Sequence, residues 1–100
     1  MEVIIISEEI AVNLSLRDIA AEFFDSIEKL SDNEIVIDFF GIESISGSFA
    51  HEYWTRKKNS KKTIKEINMP VYVEKTFMAV KRRDKSPRFE GLKSLQFVYL

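Results

Sequence analysis

The apolar residues of the chain recur at two different periods, and these periods predict strands alternating with helices. Four short runs rich in β-branched or aromatic residues predict strands at residues 2–6, 35–40, 64–69 and 95–100. Residues 35–40 are apolar almost throughout instead of at alternate positions, which predicts a central strand covered on both faces. Residues 10–14 fit either a short strand or a packed loop, and the pattern does not decide between them.

Three stretches have the apolar spacing of amphipathic helices. The first runs to about residue 30 and begins with Ser15 and Asp18, which resemble a capping box. The second covers about residues 49–58 and ends in three basic side chains, which suit the C-terminal end of a helix dipole. The third follows Pro70, a residue type favoured in the first turn of a helix. The order strand, helix, strand then predicts a right-handed βαβ unit.

Length and composition indicate one folded domain, residues 1–100, with 45% apolar content. The chain has no cysteine, which excludes disulfides, thiolate catalysis and cysteine metal sites. His51 is the single histidine, and an isolated histidine does not predict a metal site, so we expect neither a metal nor a cofactor. No apolar run approaches the roughly 20 residues of a membrane span, and the acidic start is unlike a signal peptide. We therefore expect a cytoplasmic protein with no membrane contact.

The net charge of −1 conceals a strong asymmetry between the two halves of the chain. Residues 1–55 contain 2 basic and 12 acidic residues, whereas residues 56–100 contain 13 basic and 4 acidic residues. Such asymmetry is found in nucleic-acid-binding surfaces and in ordinary solvated faces. A nucleic-acid surface would use Arg56, Lys57, Lys58, Lys61, Lys62, Lys65, Lys81, Arg82, Arg83, Lys85 and Arg88.

The segment between the second strand and the second helix contains the residues with the clearest chemical potential. Asp38 interrupts the apolar strand, and a carboxylate there needs hydrogen-bond partners, so we expect it to brace the following loop instead of contacting a ligand. Ser46 and Ser48 lie where the second helix begins. A helix N-terminus carries free N–H groups and partial positive charge, which favour an anion. Either serine could equally cap the helix.

Three segments of this sequence resemble STAS-like domains. They are residues 37–42, IDFFGI; residues 45–52, ISGSFAHE; and Ile67 with Asn68 before the third helix. The chain resembles anti-sigma-factor antagonists, and it is more similar to a bacterial and archaeal STAS-like domain family whose function is not established. The resemblance covers about residues 2–83. It implies an α/β fold with a STAS-like mixed sheet of four to five strands, about three helices and a βαβ core.

In anti-sigma-factor antagonists, a partner kinase phosphorylates a hydroxyl residue at the start of this helix. By this resemblance Ser48 falls at the phosphorylated position, Ser46 replaces an aspartate and Phe49 replaces a glycine. The resemblance thus implies a non-enzymatic regulatory module that binds a protein partner such as a histidine-kinase-like ATPase, with Ser48 or Ser46 as the phosphorylation candidate. The expected partner-binding residues are Ser44, Ser46, Gly47, Ser48, Phe49, His51 and Glu52.

Three further expectations concern catalysis and the C-terminal region. Asp38, Ser46, Ser48 and His51 surround one loop, but no recognisable nucleophile and base pair is among them, so we expect no enzyme activity. Residues 84–88 are expected to form a loop around a proline. The apolar run at residues 95–100 predicts a last strand whose edge could join a second copy of the chain in a homodimer.

Overall fold

Three parallel strands form the central sheet of the structure, a computed structural model that describes residues 1–85. The strand order is β1, β3, β5, with Val3 aligned with Val36 and Val36 aligned with Lys65. The elements in chain order are β1 (Glu2–Ile5), α1 (Ile6–Glu9), β2 (Asn13–Leu14), α2 (Arg17–Glu28), β3 (Glu34–Asp38), β4 (Ser44–Ile45), α3 (Gly47–Asn59), β5 (Thr63–Ile67) and α4 (Val71–Lys85). The α/β class is confirmed.

The handedness of the connections determines where the helices lie. The helix α2 connects β1 to β3, and α3 connects β3 to its other neighbour, β5, so both crossovers step across the sheet in the same direction. Because such crossovers are right-handed, both helices lie on the same face of the sheet. The helix α4 packs beside α3 on that face. The predicted βαβ core is therefore present, with one helical layer on one face.

The hydrophobic core lies between the sheet and this helical layer. The ring of Tyr53, on α3, packs against three aromatic rings of this core. Its centroid lies 5.0 Å from that of Phe24 and 5.9 Å from that of Phe39, both in edge-to-face geometry, and 5.0 Å from that of Phe77 in a tilted geometry. Such aromatic pairs add to the free energy gained by burial. The buried core residues in the described part of the chain are Ile6, Leu14, Ala20, Phe23, Phe24, Ile27, Ile35, Ile37, Phe39, Ile42, Phe49, Ala50, Tyr53, Val73, Phe77 and Val80.

The expected STAS-like mixed sheet of four to five strands is not confirmed by the described residues. All pairs in the central sheet are parallel, and β2 and β4 form a separate parallel pair instead of extending it. This pair aligns Asn13 with Ser44, which resolves residues 10–14 into a loop and a two-residue strand. The strand predicted at residues 95–100 lies outside the described residues.

Several boundaries also differ from the sequence prediction. Ile6 is buried and begins the short helix α1, which raises the helix count to four in residues 1–85. The expected capping box at Ser15 is wrong, because Leu16 is the N-cap of α2 and makes no side-chain cap bond. The helix α4 continues to Lys85, into the predicted loop, because Pro87 restricts only the residue directly before it. Residues 86–88 of that loop lie outside the described part.

The prediction that β3 is covered on both faces is wrong for the described residues. Ile35 and Ile37 are buried, whereas Glu34 is exposed and Val36 and Asp38 are only partly buried. This alternation shows that one face of the strand meets the helical layer and the other is open. The cause is the common direction of the two crossovers, which leaves no helix of residues 1–85 for the second face.

The buried hydroxyl of Tyr53 generates a prediction about stability at high pH. Burial, together with the charge of Glu66, raises the pKa of Tyr53 well above its usual value near 10. Above pH 10 the unfolded chain therefore releases a proton that the folded chain keeps, and the free energy of unfolding falls as pH rises. One such proton corresponds to a slope of about 1.4 kcal/mol per pH unit.

We therefore expect Tyr53→Phe to remove this part of the pH dependence. Urea unfolding at several values above pH 10 should show the wild-type chain losing stability more steeply than Tyr53→Phe, by up to about 1.4 kcal/mol per pH unit. All other titrating groups are common to the two chains and cancel in the difference. Parallel stability curves for the two chains would contradict the buried, protonated state of Tyr53.

Candidate functional site

The candidate site lies at the C-terminal edge of the sheet, where α2 and α3 begin side by side. The pairing of β2 with β4 brings the two helix starts together, since each of these strands leads directly into one helix. The hydroxyl of Ser46 donates a hydrogen bond to the carbonyl oxygen of Ser15 at 2.8 Å. This contact joins the segment that leads into α2 to the N-cap residue of α3.

Ser46 is the N-cap of α3. Its Oγ accepts the backbone N–H of Phe49 at 3.0 Å, while its own proton is donated to Ser15. A serine hydroxyl has only one proton to donate, so both the donor and the acceptor function of this side chain serve the fold. A phosphate on Ser46 would have to break the bond to Ser15.

Ser48 has a different environment, although it is only two residues further on. It is exposed in the first turn of α3, and within residues 1–85 its hydroxyl has no protein hydrogen-bond partner. Gly47 precedes it and is exposed, and His51 lies one turn later, also exposed. These residues form an accessible patch at the helix start, in which Ser48 offers a hydroxyl without a structural role.

The remaining partner-binding candidates are held by neighbouring side chains. Ser44 is exposed and donates its hydroxyl proton to Asn13 Oδ1 at 2.7 Å. Glu52 is partly buried, and its Oε2 accepts a hydrogen bond from Arg56 Nε at 2.9 Å, while Arg56 also reaches Asp25 on α2 at 3.3 Å. The hydrogen bond to Glu52 is the main cause that raises the pKa of Arg56. Arg56 therefore ties α3 to α2 through Asp25, and Glu52 holds Arg56 in place from the same helix.

Phe49 is the one candidate that the structure removes from the partner-binding surface. Its side chain is completely buried, as are Ala50 and Tyr53, because these positions fall on the inner stripe of α3. A partner that docks on the folded domain therefore cannot touch it. The resemblance to the antagonists placed Phe49 on the partner-binding surface, but in this chain Phe49 is a core residue.

Asp38 joins the ends of two strands. Its Oδ1 accepts the backbone N–H of Phe40 at 2.9 Å and the side-chain amide of Asn68 at 3.1 Å. Asn68 follows β5 with a φ of 55°, and Gly41 follows Phe40 with a φ of 83°, both in the left-handed region. The carboxylate thus holds two tight turns, one after β3 and one after β5, in fixed positions.

The four residues considered as a catalytic grouping do not form one in the described structure. Asp38 bonds to Phe40 and Asn68, Ser46 bonds to Ser15 and Phe49, and no hydrogen bond links Asp38, Ser46, Ser48 or His51 to another member of the set in residues 1–85. No group of three or more histidine, cysteine or acidic side chains in that range is placed to hold a metal ion.

The structure also shows apolar residues at this edge that the sequence analysis did not identify. Leu16 is 63% exposed at the start of α2, and Phe40 is 71% exposed in the loop after β3. Val71 and Tyr72 are exposed in the first turn of α4, and the Tyr72 hydroxyl donates to the carbonyl of Ile42. Strand alternation could have revealed Phe40, because adjacent Phe39 and Phe40 cannot both face the core.

Several basic residues of the second half of the chain have intramolecular partners. Lys57 Nζ lies 2.9 Å from Glu66 Oε1, and Lys62 Nζ donates to the carbonyl of Asp32 at 2.7 Å and also to that of Leu30. The ammonium of Lys81 lies 5.0 Å from the centre of the Trp54 ring. These contacts hold helices and strands together, and nucleic-acid binding by the basic half stays an untested prediction.

Comparison of the chain with models of protein families, with curated proteins and with solved structures finds no match. The resemblance to STAS-like domains therefore stays a prediction. In the described part of the chain, no helix is both long enough and apolar enough to cross a membrane.

The two serines of the helix start differ in what their hydroxyls do, and this generates a prediction. Ser46→Ala removes the cap of α3 and the bond to Ser15, so we expect it to lower the free energy of unfolding by about 1–2 kcal/mol. Ser48→Ala is the matched control, because it removes the same atom from an exposed residue, and we expect a change within about 0.5 kcal/mol. Urea unfolding of both variants measures the difference, and equal losses would contradict the assigned cap.

Proposed function

We propose that this chain is a non-enzymatic regulatory module of the STAS-like type that binds a protein partner and is switched by phosphorylation of Ser48. The observation that carries the proposal is the contrast between the two serines. The Ser46 hydroxyl is bound at both its donor and acceptor functions, whereas the Ser48 hydroxyl is exposed at the adjacent helix start. A modifying enzyme can reach Ser48 without disturbing the cap.

The proposed partner-binding surface, called the interaction edge below, is the C-terminal edge of the sheet. Open α/β sheets commonly bind their ligands beyond the C-terminal ends of the strands, in loops that a rigid sheet positions. At this edge the exposed apolar side chains of Leu16 and Phe40 add area that excludes water on contact. The interaction edge comprises Leu16, Phe40, Ser44, Gly47, Ser48, His51 and Glu52.

A phosphate on Ser48 would act through its charge. It adds about −1.5 to −2 charge units, and a helix N-terminus accepts that charge because its N–H groups carry partial positive charge. The fold therefore tolerates the modification. A partner whose contacting surface is acidic would be repelled by this added charge. Phosphorylation then releases the partner without unfolding the module.

The proposed partner is a cytoplasmic ATPase of the histidine-kinase-like class, the class that the resemblance implies. Such an enzyme would both bind the interaction edge and transfer phosphate to Ser48. The module itself supplies the acceptor hydroxyl and the docking surface, and it needs no cofactor. The contacts of Lys57 and Lys62 favour a protein partner over nucleic acid, since these two basic side chains already bind oxygen atoms of the chain itself.

The test is a binding comparison between charge variants at Ser48. Wild-type chain captures partners from lysate of the source organism, once with and once without nuclease treatment, and the recovered protein partner is then purified and its Kd measured by calorimetry. We expect Ser48→Ala to bind within about twofold of wild type and Ser48→Asp to bind at least about tenfold more weakly, a loss of about 1.4 kcal/mol.

Ser26→Asp provides the matched control for added charge. Ser26 is also an exposed serine, but it lies nine residues after the start of α2, about 13 Å along the helix from the interaction edge. It should bind as wild type does. Equal Kd values for Ser48→Asp and Ser26→Asp, with both variants folded, would overturn the switch. Recovery of nuclease-sensitive material alone would transfer the argument to the basic half of the chain.

A further inference from the structure

The face of the central sheet that turns away from the helical layer carries exposed apolar side chains. Val3 is 50% exposed, and Ile5 and Ile67 are each 37% exposed. The strand registers place Val3 beside Val36 and Lys65 in one row, and Ile5 beside Asp38 and Ile67 in the next. The apolar members of these two rows, called the open face below, are Val3, Ile5, Val36 and Ile67.

An open apolar face is unusual for a sheet of this type. Sheets built from parallel strands are normally covered on both sides, because their crossover helices lie on both faces of the sheet. Here both crossovers lie on one side, so residues 1–85 leave the second side without a helix. Covering four apolar side chains there would remove their surfaces from water and stabilise the fold.

The size of the open face decides what kind of occupant fits it. Three strands of five residues or fewer make a surface of roughly 14 Å by 17 Å, or about 240 Å². A stable dimer buries about 800 Å² on each partner, more than three times this area. A second copy of the chain packed on this face alone is therefore too weakly held. A tethered segment does not need that area, because its effective concentration is of order mM.

The chain itself contains a segment of the right size and chemistry. Beyond Lys85 it continues for 15 residues, which include the apolar run at residues 95–100, LQFVYL. Six extended residues span about 20 Å, close to the length of the strands of the sheet. Residues 86–94 would span up to about 30 Å if extended. That length is enough to pass from the helical layer around the edge of the sheet to its other face, since packed layers lie about 10 Å apart.

We propose that residues 95–100 of the same chain dock on the open face and cover its apolar side chains. The position of α4 supports this occupant. Tyr72, at its start, contacts Ile42 at the C-terminal edge, whereas Lys81 contacts Trp54 further along α3, so α4 runs back towards the N-terminal edge of the sheet. The end of α4 therefore lies towards the N-terminal edge of the sheet, around which a nine-residue linker could reach the open face.

The test uses the absence of cysteine from the chain, since a single introduced thiol can be followed by its rate of reaction with a small maleimide. In the full chain we expect Val3→Cys to react about tenfold more slowly than Leu16→Cys, after division by the rate of each variant in denaturant. Leu16 is the matched reference because it is an apolar residue of comparable exposure that lies outside the sheet, at the N-cap of α2. Adding Phe97→Asp and Tyr99→Asp should bring the two rates within about twofold.

Ile67→Cys repeats the measurement on another strand of the open face, in case Val3→Cys does not fold as judged by circular dichroism. Equal normalised rates at the open face and at Leu16, unaffected by Phe97→Asp and Tyr99→Asp, would overturn the proposal. Protection that increases with protein concentration would also overturn it, since the occupant would then be a second copy. Each of these readouts is independent of Ser48, so the proposed function is tested separately.

Discussion

The common hand and direction of the two crossovers is the constraint on which the other features of this structure depend. Because β1, β3 and β5 follow one another across the sheet, right-handed connections place α2 and α3 on one face, where α4 packs beside α3. The same arrangement brings the starts of these helices to one edge, where the loops with functional potential meet. It also leaves the second face without a helix of residues 1–85. Interaction edge and open face are thus two consequences of one topology.

The hydrogen bonds of Ser46 make the interaction edge a defined surface. The donor bond to Ser15 and the acceptor bond from Phe49 hold the starts of α2 and α3 in a fixed relation, while Asp38 holds the turns after β3 and β5. A charge added at Ser48 therefore changes the potential of a rigid surface. Local electrostatics on such a surface alter partner affinity without requiring a conformational change.

The sequence predicted the α/β class and the three long helices, because their apolar periods extend over many residues. It failed at Ser15, which resembles a cap but whose carbonyl oxygen accepts a hydrogen bond from the Ser46 hydroxyl. Phe49 is buried, as the helical spacing of apolar residues predicts, and only the resemblance to the antagonists had placed it on the partner-binding surface. The sequence also did not predict that residues 1–85 cover only one face of β3, since a short apolar run does not reveal which segment of the chain covers each face. Which serine caps α3 depends on backbone geometry at the helix start, which local pattern leaves open.

The most direct measurement of the central claim is phosphosite mapping of the protein isolated from its source cells, by mass spectrometry across several growth conditions. The account predicts phosphate on Ser48, since its hydroxyl is exposed, and none on Ser46, whose hydroxyl is bound to Ser15 and Phe49. Phosphate on Ser46 with none on Ser48, or no phosphoserine at this helix start under any condition, would contradict it.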